Sequence, residues 1–196
     1  MSGTKPKPVL VGATELAAIY DGPPRNTAQW IQRGQLDYSQ AVIISGRAYW
    51  TLGFAVALGE AFAREKTPNM AVVEELLTAQ SPGRSLVSAL TVSRDKLPPI
   101  VGRQEVAAMV NEDSNQWTAR MEGAAKAGTF PEPDWYLSGS PLWLLDSALA
   151  GIVAMQGVAR VKPPVLDESV VESLRGGLYD GPGSKILARG VKKKES

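Results

Sequence analysis

The chain has 196 residues, 44% of them hydrophobic, with five Trp, no Cys and no His. Those absences exclude disulfides, thiol and imidazole chemistry and the common zinc clusters. The net charge of +1 is low for a nucleic-acid binder, so any basic face must be local.

The length allows one ordinary domain or two small ones with connectors. No apolar run reaches the roughly 18 residues of a membrane span. Residues 1–8 carry two lysines with no apolar stretch behind them, which argues against a secretory leader. The protein is therefore expected to be soluble and cytoplasmic, without membrane contact. No phosphate-binding glycine loop or EF-hand loop is present, and no cofactor, metal or catalytic set is expected.

In chain order, Leu16, Ile19 and Tyr20 share one face of a predicted first helix over residues 14–20. Asp21-Gly22-Pro23-Pro24 then breaks the chain. A second helix is predicted from Pro24 or Arg25 to Arg33, because Pro suits a first helical turn and Gly34 suits a stop. Trp30, with Ala28 and Ile31, would pack inward. Arg25, Asn26, Thr27, Gln29, Gln32 and Arg33 would stay free, a polar set with two cations and no acid. Residues 41–52 hold two β-prone runs around Ser45-Gly46, which predicts a hairpin with Arg47 at its tip. A third helix is predicted over residues 54–64.

Residues 65–98 form a connector with helical pattern at residues 70–79 and a further short turn at 85–90. Its apolar face offers either ordinary packing or a homodimer contact.

The same order then recurs. Residues 10–20 read LVGATELAAIY, and residues 100–110 read IVGRQEVAAMV. Gly34-Gln35-Leu36 pairs with Gly128-Thr129-Phe130, and Ser45-Gly46 through Trp50 pairs with Ser138-Gly139 through Trp143. Three blocks in one order, with small offset changes, point to an internal repeat. Copy two has a first helix over 104–110, an acidic break with Ser114 as a candidate N-cap, a second helix over 115–127, a hairpin over 134–145 and a closing helix over 146–156. Residues 100–160 carry four Lys/Arg against seven Asp/Glu, so this copy is acidic. The tail from residue 158 has a short helical stretch near 168–174 and ends in the basic cluster Lys192-Lys193-Lys194.

Helix, tight turn, helix, Gly, then a hairpin ending in Trp resembles the winged helix-turn-helix of the MerR and phage-excisionase group. Gly34, Leu36, Gly46 and Trp50 carry the resemblance in copy one. Gly128, Phe130, Pro131, Gly139 and Trp143 carry it in copy two. Neither interhelical turn matches the Gly-containing tripeptide usual in that group. The resemblance implies a mainly α fold with small β-hairpins: two winged helix-turn-helix-like repeats over residues 9–64 and 99–157, joined by a helical connector over 65–98, with a partly flexible basic tail over 158–196.

It also implies that the second helix enters the DNA major groove. Arg25, Asn26 and Gln29 would then read bases, Thr27, Gln32 and Arg33 would hold phosphates, and Arg47 would reach a phosphate or the minor groove. The matching set in copy two is Asn115, Gln116, Thr118, Arg120 and Lys126. The implied function is sequence-specific binding of double-stranded DNA by a transcriptional regulator or a phage or mobile-element factor. The alternative is a protein-interaction module on the same fold, not an enzyme.

Overall fold

A computed structural model describes residues 7–158 and 162–186 of the chain. It is mainly helical with two small antiparallel sheets of three strands each. The lysine cluster at 192–194 lies outside the described residues.

The first half runs β1 (Leu10–Val11), α1 (Ala13–Ile19), α2 (Arg25–Gln32), β2 (Val42–Ile44), β3 (Arg47–Thr51) and α3 (Leu52–Ala57), with a short 3-10 segment at Leu58–Ala61. The connector holds α4 (Met70–Gln80) and α5 (Leu86–Leu90). The second half runs β4 (Ile100–Val101), α6 (Arg103–Met109), α7 (Ser114–Lys126), β5 (Trp135–Leu137), β6 (Ser140–Leu144) and α8 (Leu145–Val158), followed by α9 (Glu168–Arg175).

Most boundaries fall where the sequence places them. Gly34 and Gly128 adopt φ of 67° and 73° and end α2 and α7. The amides of Gln35 and Thr129 then close back on the Trp30 and Ala124 carbonyls. Both hairpins turn through two residues of positive φ, 49° and 73° at Ser45-Gly46 and 47° and 75° at Ser138-Gly139, the pairing that matches strand twist. The N-cap of α7 is Asp113, whose carboxylate accepts from the Asn115 and Gln116 amides, so Ser114 already sits in the first turn. The predicted helix over 54–64 is shorter, because the chain tightens into the 3-10 segment after Ala57.

Each hairpin gains an unpredicted third strand from just before the first helix. Leu10 pairs with Thr51 and Val11 with Trp50, and Ile100 and Val101 pair in the same way with Leu144 and Trp143. Two-residue strands carry too little pattern to be seen in sequence. The outer side of Leu10 has no strand neighbour. There the Gln80 side chain takes a strand's place, accepting from the Leu10 amide at 2.9 Å and donating to its carbonyl at 2.8 Å.

The connector is part of the first core. Val73, Leu77 and Ala89 lie buried among Leu16, Ile19, Trp30 and Trp50. Much of the apolar face suggested as a homodimer contact is thus spent inside the chain, with Met70 and Val87 left as exposed large apolar residues of the connector. α9 does the same for the second half: Val171 joins Val106, Met109 and Trp117. The two helices dock by one device. The Asn69 amide donates to the Ile19 carbonyl and the Asp167 amide to the Met109 carbonyl, each at 2.7 Å. Each half therefore runs further along the chain than the expected boundaries at 64 and 157.

Candidate nucleic-acid interface

α2 buries Thr27 and Trp30, one turn apart. The Trp30 ring meets Tyr20 edge-on at 5.8 Å and Phe62 at 5.1 Å. The Thr27 hydroxyl donates to the Ala13 carbonyl at 2.7 Å, fastening α2 to α1. These two anchors turn Arg25, Gln29, Gln32 and Arg33 outward, all exposed, with Asn26 half-buried beside them. The helix carries no acid, and among the described residues neither arginine joins an ion pair. Thr27 is corrected: its buried hydroxyl is already committed to α1 and has no path to a phosphate.

α7 uses its cations differently. Trp117 and Met121 face the core, and Asn115, Gln116 and Lys126 are exposed. Arg120 lies over the Trp117 ring at 5.3 Å, pairs with Glu112 and donates to the Lys162 carbonyl at 2.9 Å. The Thr118 hydroxyl bonds back to the Ser114 carbonyl at 2.7 Å. Arg120 and Thr118 are therefore structural groups here, corrected as DNA contacts. Glu122, on the exposed face of the same helix, draws Arg103 to 3.1 Å.

The hairpins hold the largest departure from expectation. A wing that serves DNA presents its tip to solvent, but each tip here docks on the first helix of the other half. The Ser45 amide donates to one Glu105 oxygen at 2.7 Å and the Ser45 hydroxyl to the other at 2.6 Å. The Ser45 hydroxyl also accepts from the Gln104 amide at 3.0 Å. Ser138 repeats every bond on the other side, to Glu15 at 2.8 and 2.7 Å and from the Thr14 amide at 3.0 Å. Each Glu also accepts the amide three residues before it, Gly12 or Gly102, at 3.0 Å.

Both glycines are required by the close approach. A Cβ on Gly12 would stand 2.3 Å from the Ser138 oxygen, and one on Gly102 would stand 2.5 Å from that of Ser45. Behind the tips the sheets share a core, where Leu10, Ile44 and Tyr49 meet Trp135, Leu137 and Leu142. Arg47 is drawn into this joint, donating to the Ser138 carbonyl at 2.7 Å although its side chain remains exposed. It is not at a free wing tip.

The residues identical between the two matched segments thus include the docking set: Gly12 and Gly102, Glu15 and Glu105, Ser45 and Ser138. In the sequence, Ser45 and Ser138 read as turn residues and the glycines and glutamates only as matched positions of the two segments. One signal was present. A hairpin with one wet face alternates apolar and polar residues, whereas Val42-Ile43-Ile44, Tyr49-Trp50 and Leu142-Trp143 are apolar on both faces.

A C-terminal strap covers one joint. The Gly46 amide donates to the Gly183 carbonyl at 2.8 Å, and the Gly183 α-carbon lies against Glu105. Burial, helped by the nearby negative charges of Glu105 and Asp180, pushes the Tyr179 hydroxyl up to about 12. The folded strap favours the protonated phenol. Its contribution is complete below the ordinary tyrosine value of 10.0 and is lost as pH rises toward 12. Burial also pushes the Tyr20 and Tyr49 hydroxyls up, so an ultraviolet pH titration of the parent should show late tyrosinate formation that Tyr179→Phe reduces by one tyrosine's share. A parent curve ending near pH 10 would contradict this placement.

No group of three or more metal-ligating side chains occurs among the described residues. No helix among them is long and apolar enough to cross a membrane. Compared with protein-family models, curated proteins and solved structures, the chain matches none of them.

Proposed function

We propose that the chain is a sequence-specific double-stranded DNA-binding protein, a transcriptional regulator or phage or mobile-element factor. In it, two winged helix-turn-helix-like units of one duplicated sequence use their wings to hold each other. The observation that carries the reading is the outward face of α2: Arg25, Gln29, Gln32 and Arg33, free of acids, on a helix fastened from behind by Thr27 and Trp30. Arg matches guanine and Gln or Asn matches adenine by paired hydrogen bonds, and such pairs discriminate bases. Arg25, Asn26 and Gln29 near the start of α2 take the base edges, while Gln32 and Arg33 take phosphates. Asn115, Gln116 and Lys126 form a weaker second contact on α7. The wings contribute pairing of the units, not groove contacts.

Selection from random duplexes at low salt, followed by fluorescence anisotropy, tests this. Arg25→Ala should weaken the selected site by about 1–3 kcal/mol while circular dichroism stays unchanged. Arg33→Ala should lower the slope of log affinity against log salt by about one. Selection that enriches no duplex defeats the proposal.

A second reading, a protein-interaction module, is favoured by the second unit, where Glu112 and Glu122 hold Arg120 and Arg103. It predicts partner binding that is indifferent to nuclease and to Arg25→Ala.

A further inference from the structure

Between α2 and the first hairpin lies a cleft of about 660 Å³, within the roughly 300–1,000 Å³ of small-molecule sites. Arg25 and Arg47 stand on its walls, with Ala28, Ile31 and Ala48 supplying apolar surface. Ser138 of the second half and Ile186 of the strap complete it, so it exists only in the assembled chain. Trp50 also lines it; that residue is 1% exposed, and its indole N–H has no hydrogen-bond partner among the described residues. Among the described residues the Tyr49 hydroxyl, the Ser81 hydroxyl, the Arg103 Nε and the Trp117 indole share that state, so the two guanidiniums and the apolar walls, not the indole alone, mark this cleft.

The other half places different side chains at the matching positions. Asp21 and Asn111 share φ of 50° and set the register of α2 against α7, so Thr27 corresponds to Trp117. Both are buried, the threonine with its hydroxyl on the Ala13 carbonyl and the much larger indole within the core of Val106, Met109 and Met121. Ile31 corresponds to Met121, which is fully buried where Ile31 is half-buried. Trp143, the counterpart of Trp50, donates its N–H to the Pro131 carbonyl at 3.1 Å. Ser140 stands in place of Arg47 and Asn115 in place of Arg25. At these matched positions the second half is uncharged and has the Trp143 N–H bonded, although its Trp117 N–H has no partner among the described residues; the first half is cationic, with the Trp50 N–H unpaired.

We infer that this cleft binds a small organic carboxylate with an apolar body. Its carboxylate sits between the Arg25 and Arg47 guanidiniums, its body lies on Ala28, Ile31 and Ala48, and an acceptor meets the Trp50 N–H. Arginine pairs well with carboxylate through parallel N–H bonds. Arg47 gives one N–H to Ser138 and keeps others. A bare inorganic anion would leave the apolar walls uncovered. The site stands independently of the DNA reading, though a ligand on Arg25 would compete with any duplex there.

Titration of the full chain with benzoate and hexanoate, read by the indole N–H signals in proton–nitrogen correlation spectra, tests it. Trp50→Phe assigns the Trp50 signal. That signal should move saturably for at least one carboxylate, with a dissociation constant below about 1 mM, and should not saturate with benzamide. Arg25→Gln should weaken binding about tenfold, and Ala28→Trp, at an exposed position, should abolish it while the other indole signals stay in place. No saturable movement with either carboxylate, equal binding of benzamide, or binding untouched by Ala28→Trp overturns the inference. No nucleic acid is present, so failure here leaves the DNA reading to its own test.

Discussion

Glu105→Ala should destabilise the protein by about 3–5 kcal/mol. The Glu105 carboxylate is 3% exposed and accepts from the Ser45 amide, the Ser45 hydroxyl and the Gly102 amide. Hydrogen bonds to a charged group contribute about 1.5–3 kcal/mol each, and a stranded buried donor costs about 1–3 kcal/mol. Removing the acceptor strands two backbone amides at once and loosens the hairpin that seats Ile44 and Tyr49 against the second sheet. Thermal unfolding should fall by roughly 10 °C, from about 2–4 °C per kcal/mol in a chain of this size. Glu105→Gln keeps an acceptor and should lose less than half as much. Glu15→Ala removes the matching bonds at a more exposed carboxylate and should lie between the two. If Glu105→Ala melts within about 2 °C of the parent, the docked hairpins are not what joins the halves.

Gln80→Ala should cost about 2–4 kcal/mol, with a local signature. Leu10 is fully buried, and its amide and carbonyl have the Gln80 side chain where a fourth strand would be. Alanine leaves both backbone groups unpaired in the core. Gln80→Glu retains the acceptor but loses the donor and sets a carboxylate against the Leu10 carbonyl, so at neutral pH it should be at least as damaging. Urea titration gives the global loss. Hydrogen exchange gives the specific one, a Leu10 amide that exchanges orders of magnitude faster while Val11, bonded to Trp50 in the ladder, changes less. Unchanged protection at Leu10 would mean that the amide pairs elsewhere.

Taken alone, the sequence carried much of the local structure. Leu16, Ile19 and Trp30 mark helical faces by their spacing, Gly34 and Gly128 mark stops, and Ser45-Gly46 and Ser138-Gly139 mark two-residue turns. Composition had already removed cysteine and histidine chemistry. These features are readable because they depend on neighbours within a few residues. The outward direction of Arg25, Gln29, Gln32 and Arg33 was readable for the same reason, since Trp30 fixes which way the helix turns.

The rest depended on which surfaces meet. A Ser-Gly turn has the same local geometry whether its tip faces a duplex or another part of the chain. Only assembly put Ser45 on Glu105 and Ser138 on Glu15, some 60 and 123 residues apart. Thr27 and Arg120 read as free polar groups until Ala13 and Glu112 supplied their partners. The connector's apolar face took its role from the core it entered. Hydrogen bonds and burial of this kind are properties of pairs distant in sequence, and a chain read one window at a time holds only one member of each pair.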